Sequence, residues 1–209
     1  MELQKVRSTE QKVLVEISRR GPGWVFSQRD FARLATRGAI DTALHRLHSK
    51  GRIRRVLRGL YDSPRHSDLL DSVLSPDIDQ VASALARKFG WRIQPSGPTA
   101  QNLLGLSTQV PARHLYLSDG PGRSYEIDGT TLTFKHAALK EAGFRHRESA
   151  LIVQALKSLG PEGITPLHIA RIQKWLAPAL REKVLADTDT ATGWVYGAIR
   201  EICTGEGLG

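Results

Sequence analysis

The spacing of apolar residues divides the chain into helical stretches and a few short extended ones. The clearest helical stretch begins near Thr36 and ends at Gly51, and its apolar residues share one face: Ile40, Ala43, Leu44 and Leu47. Arg37 and Asp41 lie at the edge of the opposite face, which is polar and carries Gly38, Thr42, His45, Arg46 and Ser49. Threonine is a common N-cap, so an amphipathic helix is predicted here.

Two further helices are predicted before this one. Ser8 is followed three residues later by Gln11, a spacing typical of a capping box at a helix start. Ser27 and Asp30 repeat that spacing and predict the start of a second helix, where a carboxylate also favours the helix dipole.

A short basic hairpin is predicted directly after Gly51. Residues 52–56 alternate basic and β-branched side chains, Leu57-Arg58-Gly59 can turn, and Leu60-Tyr61 returns. Helices followed by a basic hairpin are typical of a winged helix-turn-helix, in which one helix enters the major groove of DNA and the wing holds the flanking backbone. We therefore predict DNA contacts from Arg37, Thr42, His45, Arg46, Arg52, Arg54, Arg55 and Arg58.

The rest of the chain combines helices with a group of short strands. Helices are predicted over residues 65–75, 77–89, 99–104, 148–159, 166–176, 178–185 and 192–202, with a frayed tail over 205–209. Strands are predicted over residues 114–117, 124–127 and 131–135, as an antiparallel meander with an extra strand near Ile93. The turn Asp128-Gly129 is typical of a hairpin.

These elements predict an α+β fold with two domains. The first, residues 1–65, is a winged helix-turn-helix domain that binds DNA. The second, residues 66–209, is a mixed domain with a small antiparallel sheet and several helices. A chain of 209 residues is long enough for two small domains.

The charge of the chain is concentrated in its first third. Residues 1–70 contain 15 Lys and Arg against 7 Asp and Glu, whereas residues 71–209 contain 15 against 14. A polar helix face is often only solvated, and a basic surface often serves solubility. Neither explanation accounts for an excess confined to the segment with the winged pattern, so a polyanionic partner is favoured.

Composition restricts the remaining function classes. The chain has 40% hydrophobic and 24% charged residues, which is ordinary for a soluble globular protein. No apolar run approaches membrane length, the N-terminus lacks the apolar segment of a signal peptide, and the single cysteine, Cys203, excludes an intrachain disulfide. We expect a cytoplasmic protein without a membrane partner.

Three sequence segments resemble a known family: KGRIRRVLRGLYDSP at the wing, RIQPSGPTAQNLLGLS, and the pair HLYLSDG and TLTFKHA. Through them, residues 10–140 resemble the AbiEi-type antitoxins of type IV toxin–antitoxin systems, within the bacterial abortive-infection group. The resemblance implies that the N-terminal domain binds inverted repeats in its own promoter and represses its operon. It also implies that the C-terminal domain counteracts a cognate nucleotidyltransferase-like toxin, directly or functionally, and that the chain is not an enzyme.

Few residues suggest catalysis, and no catalytic residue, metal ligand or cofactor is predicted. His45 and His48 are three residues apart, but no cysteine or carboxylate completes a zinc site. The glycine-rich segment 118–124 lacks the lysine of a phosphate-binding loop and precedes a strand, so a hairpin loop is favoured. Two alternatives stay open: a winged-helix regulator whose second domain senses a small ligand, and a nucleic-acid-modifying enzyme that docks through its wing.

Overall fold

The computed structural model describes residues 8–107, 113–137 and 144–205. They form two compact units, the first comprising the residues through Trp91 with Glu126–Gly129, and the second holding the remainder from Arg92 onward. Helices alternate with small sheets, which confirms the predicted α+β class. No helix within these described ranges has the length and apolar character needed to cross a membrane.

The first unit begins with α1 (Thr9–Arg20) and β1 (Val25–Phe26). The predicted capping box of α1 is present, since the side chain of Ser8 accepts from the backbone of Gln11 and Gln11 accepts from the backbone of Ser8. The second predicted box is also present, because the Asp30 carboxylate accepts from the Ser27 backbone at 2.8 Å.

The helix predicted after Ser27 is only a 3-10 turn, Gln28–Phe31. Thr36 begins the next helix so soon afterwards that no full α-helix develops between the two caps. That next helix, α2 (Arg37–Ser49), buries the predicted face of Ile40, Ala43, Leu44 and Leu47. This face packs against α1 and the aromatic side chains of Phe26 and Phe31 in the core of the unit.

The basic hairpin is confirmed as β2 (Arg54–Leu57) and β3 (Leu60–Asp62). β1 pairs antiparallel with β3, so the sheet has the strand order β1-β3-β2. An irregular register between Arg55 and Leu57 bends the wing next to its turn.

The segment after the wing is a second small hairpin, β4 (His66–Ser67) and β5 (Ser72–Val73), so the connecting helix predicted over residues 65–75 is wrong. Its apolar residues occur at helical spacing but are not buried: Leu69 and Leu70 at the tip are 94% and 64% exposed. Spacing predicts a helix only where a neighbouring surface covers the apolar face, and here none of the described residues does.

The predicted helix after Pro76 is present as α3 (Ile78–Phe89), capped by Asp77. It packs against β1 and the 3-10 turn of the winged module. Arg87 fixes this packing, because its guanidinium donates to the Asp30 carboxylate at 2.7 Å and to the Val25 carbonyl at 2.8 Å. The first unit therefore extends to Trp91, beyond the boundary at residue 65 expected from the sequence.

The chain from Arg92 onward, most of which forms the second unit, begins with β6 (Ile93–Pro95), α4 (Gly97–Leu103), β7 (Arg113–Ser118), β8 (Arg123–Ile127) and β9 (Thr130–His136). Each predicted strand is present, but the strand order is β6-β7-β9-β8, and β7 runs parallel to β9. The expected meander is therefore wrong, and so is the hairpin loop expected over 118–124, since β7 and β8 are not neighbours.

The helical part of this unit comprises α5 (Arg147–Leu159), α6 (Pro166–Trp175), α7 (Arg181–Asp187) and α8 (Gly193–Thr204), with 3-10 turns at Pro161–Gly163 and Pro178–Leu180. They enclose a core that includes Ile152, Leu156, Ile172, Val195 and Ile199. α4 joins this core at close range, because a Cβ on Gly97 would lie 2.4 Å from the Cβ of Ser158. The predicted tail, apart from Gly205, lies outside the described residues.

Candidate nucleic-acid interface

The polar face of α2 is exposed along its whole length. Thr42, His45 and Arg46 are exposed and lie opposite the buried apolar residues of the helix. The Thr42 hydroxyl donates to the Gly38 carbonyl at 2.9 Å, which leaves its oxygen and its methyl group available to a partner. Burying one face against α1 thus leaves the other face as a continuous polar row, as the sequence predicted.

Arg37 lies at the first position of α2 and has a side chain that is 83% exposed. Its Nε is 4.0 Å from the Asp41 carboxylate, one helical turn later. With the Gln28 amide oriented to satisfy both neighbours, its nitrogen donates to Asp41 at 2.6 Å and its oxygen accepts from Arg37 Nε at 3.1 Å. The 3-10 turn therefore orients the exposed guanidinium at the start of the helix.

The wing presents three of its four arginines to solvent. Arg52, Arg55 and Arg58 are exposed, and Arg58 sits in the turn beside Gly59, whose φ of +69° favours glycine. Arginine is suited to phosphate because its planar fork donates two parallel hydrogen bonds. The exposed arginines of the wing and the polar face of α2 belong to the same compact unit.

Arg54 differs from its neighbours because its charge is used within the protein. Its guanidinium donates to both oxygens of the Asp62 carboxylate, at 3.1 and 2.5 Å, and to the Leu74 carbonyl at 3.0 Å. The hydrogen bond to Asp62 raises the pKa of Arg54. Arg54, predicted as a DNA contact, thus already makes three hydrogen bonds within the protein.

Two basic side chains that the sequence analysis missed lie near the wing. Arg29 in the 3-10 turn donates to the Lys88 carbonyl at 2.9 Å, and Lys88 at the end of α3 donates from Nζ to the Arg58 carbonyl at 2.8 Å. Arg87-Lys88 is a basic pair in the last turn of α3, a position that also suits the helix dipole. Only tertiary packing brings this pair close to the wing, so the residues next to it in sequence could not predict the contact.

His48 and Asp119, in the glycine-rich segment 118–124, have structural roles in the described chain. His48 faces the hairpin, with Nδ1 3.3 Å from the Ile53 carbonyl. Asp119 accepts from the Arg92 backbone and guanidinium, both at 2.8 Å, and these hydrogen bonds lower the pKa of Asp119. Across residues 8–107, 113–137 and 144–205, no group of three or more His, Cys, Asp and Glu side chains is placed to hold a metal ion.

Comparison with protein families places the chain in a group without an assigned activity. The model described as "Family of unknown function (DUF6088)" matches residues 12–184, and the chain belongs to that family. No curated protein matches the chain significantly.

Proposed function

We propose that this DUF6088 protein is a non-enzymatic, sequence-specific binder of double-stranded DNA. In this proposal α2 reads base edges in the major groove through Arg37, Thr42, His45 and Arg46, and the wing holds phosphates through Arg52, Arg55 and Arg58. The observation that carries it is the exposure of these seven side chains on one compact unit with the strand order β1-β3-β2 of a winged module. Arg54 is left out because Asp62 holds its guanidinium.

The charge distribution supports the same proposal. The excess of basic over acidic residues lies almost wholly in residues 1–70, which form most of the first unit. Residues 71–209 as a whole contain 15 Lys and Arg against 14 Asp and Glu, whereas the second unit alone contains 13 against 9 and has its own core.

We also propose a biological role from the resemblance of residues 10–140 to the AbiEi-type antitoxins. In that role the protein acts in the cytoplasm, binds inverted repeats in its own promoter and represses its operon. It counteracts a cognate nucleotidyltransferase-like toxin, directly or functionally. Co-expression with the adjacent reading frame tests this part: growth that is lost with the neighbour alone should return with both genes, and absence of rescue contradicts the antitoxin role.

The DNA-binding proposal is tested by selection from a library of random duplexes with the full chain. We expect the protein to enrich one recurring sequence and to bind it more tightly than a scrambled duplex. A variant with His45→Ala and Arg46→Ala should retain weak, salt-dependent binding but lose the enrichment, because it keeps the wing. Failure of the wild-type protein to bind any duplex at low salt would refute the proposal.

A cleft in the second unit favours a ligand-sensing regulator as a second candidate. It encloses about 430 Å³ and is lined by Arg145, His146 and Lys183, together with two aspartates. Arg145 and Lys183 offer donors to an acidic group of a small molecule, while Asp187 and Asp189 offset their two charges. A thermal-shift screen of small carboxylates and phosphates tests this candidate, and a ligand that raises the Tm and changes DNA affinity would support it.

A further inference from the structure

An open cleft of about 500 Å³ lies on the first unit, bordered by the start of α2, the turn of the wing and the end of α3. Four basic side chains line it: Arg29, Arg37, Arg58 and Lys88. Among the described residues that line the cleft, Asp41 is the one carboxylate, and it already interacts with Arg37 and Gln28. The cleft therefore has an excess of positive charge.

The Lys88 ammonium is held by neutral groups. Its ammonium donates to the Arg58 carbonyl at 2.8 Å and lies 5.4 Å from the centroid of the Phe89 ring. No carboxylate in the described chain forms an ion pair with it. Burial together with the nearby Arg58 charge lowers the pKa of Lys88. A partly desolvated cation with neutral partners gains free energy when an anion approaches.

The turn of the wing, Arg58-Gly59, lies directly against the Lys88 ammonium. A Cβ at Gly59 would lie 3.1 Å from Lys88 Nζ, so glycine at this position leaves room for the contact. Arg29 is anchored by one guanidinium nitrogen, Nη1, which donates to the Lys88 and Arg87 carbonyls at the end of α3. Because guanidinium has five N–H donors, others on Arg29 can serve a second partner.

We propose that this cleft binds a phosphate group of the DNA backbone through Lys88, Arg29 and Arg58. The inference rests on the proposed DNA binding, because the cleft lies between the two elements assigned there to the major groove and to the backbone. It adds α3 to the interface as an element that both holds the wing turn and supplies a phosphate ligand. Nucleic-acid backbones are recognised by such cationic clusters, independently of base sequence.

The test compares Lys88→Gln with Lys12→Gln in the full chain. The glutamine at 88 keeps an N–H donor for the wing turn but removes the charge, and Lys12 is an exposed lysine of α1 outside the cleft. Affinity for a selected duplex and for its scrambled form is measured over a series of salt concentrations. Thermal melts first establish that both variants are folded.

Lys88→Gln should weaken binding of both duplexes about tenfold at low salt and flatten the log–log salt dependence by about 0.9, the loss of one phosphate contact. Lys12→Gln should stay within about twofold of wild type, and Lys88→Arg should restore the salt slope. Equal effects of the two glutamine variants would overturn the phosphate site while leaving DNA binding in place.

A second experiment distinguishes an error in the proposed phosphate site from an error in the proposed DNA binding. Inorganic phosphate and pyrophosphate are titrated into the wild-type protein and Lys88→Gln, with NMR signals of the arginine Nε–H groups as the readout. If the wild type binds no duplex but binds pyrophosphate in a Lys88-dependent way, DNA is excluded as the source and a free phosphate ligand takes its place. Absence of both interactions would overturn both proposals.

Discussion

Arg54 and Asp62 lie directly opposite each other on the two strands of the wing, and the arginine donates to both carboxylate oxygens. The Asp62 side chain is 1% exposed and that of Arg54 is 28% exposed. The pair links β2 to β3, and the additional hydrogen bond to the Leu74 carbonyl ties both strands to the segment before α3. The Arg54 side chain thus stabilises the fold, whereas the next residue, Arg55, faces solvent.

Arg54→Met should therefore destabilise the protein by about 2 kcal/mol, because it leaves a buried carboxylate without its partner. Arg55→Met, one residue away on the exposed side of the same strand, should change stability by no more than about 0.5 kcal/mol. Urea unfolding of the two variants measures the difference. Similar free energies of unfolding for both would show that the ion pair contributes little.

The same two variants should behave in the opposite way towards DNA. Arg55→Met should flatten the log–log salt dependence of binding by about 0.9, since one phosphate contact is lost. Arg54→Met should leave the slope of the folded protein unchanged, because Asp62 and Leu74 already hold its guanidinium. The comparison is made by fluorescence anisotropy at temperatures where both variants are folded. A reduced salt slope for Arg54→Met would show that Arg54 does contact DNA.

Arg46→Ala should relax base preference at one position of the bound sequence. A bidentate arginine–guanine pair contributes about 1–3 kcal/mol of discrimination, whereas a phosphate contact contributes equally on any sequence. Binding to the selected duplex and to its single-base variants is measured for Arg46→Ala and wild type. If all duplexes weaken by the same factor, Arg46 contacts only the backbone.

We expect the second unit to lose stability in acid when the Asp187 carboxylate is protonated. Burial alone would raise the pKa of Asp187. Hydrogen bonds from the backbone N–H groups of Arg145 and His146, at 2.8 and 3.0 Å, together with the Ser149 side chain and the charge of His146, lower it overall. The stabilisation is therefore complete above the ordinary aspartate pKa of about 4 and is lost as the pH falls through the lower folded value. Asp187→Asn should cost about 1 kcal/mol at pH 7 and much less near pH 2, by denaturant unfolding.

The matched control for that measurement is Asp189→Asn, at an exposed position two residues later. It should leave both the stability and its pH dependence close to wild type. An unchanged pH profile in Asp187→Asn would show that the two backbone contacts do not stabilise the start of α5.

Because the first unit extends to Trp91, we expect fragments that end at Trp91 and at residue 65 to differ in stability. A fragment ending at Trp91 should fold and bind DNA, because it keeps α3 with the contacts of Arg87 to Asp30 and Val25. A fragment ending at residue 65 lacks these contacts and should melt at a lower temperature or remain unfolded. Circular dichroism and gel shifts compare the two, and equal melting temperatures would show that α3 is dispensable for the winged module.

Features encoded by neighbouring residues could be predicted from the sequence. The capping boxes at Ser8 and Ser27 depend on residues three positions apart, and the buried face of α2 follows from apolar spacing on one element. Both are local relationships, so the sequence alone specifies them. The polar row of α2 follows from the same periodicity.

Features that depend on distant residues could not be predicted in this way. Leu69 and Leu70 have the spacing of a helix, but nothing in the sequence shows that they lie in a hairpin, exposed to solvent. Arg54 looks like the other wing arginines until the strand register places Asp62 opposite it. Lys88 lies 30 residues after Arg58, and only the packing of α3 brings its ammonium to the wing.

The parallel pairing of β7 with β9 has a consequence for the order in which the second unit folds. β8 and β9 are joined by a two-residue turn, so their hairpin can close within microseconds, before distant segments meet. β7 pairs in parallel with the edge of β9 that faces away from β8, so the chain has to cross the end of the hairpin between β7 and β8. This pairing closes a larger loop than the hairpin turn does. We therefore expect the hairpin to form first and the docking of β7, a non-local event, to limit the folding rate of the sheet.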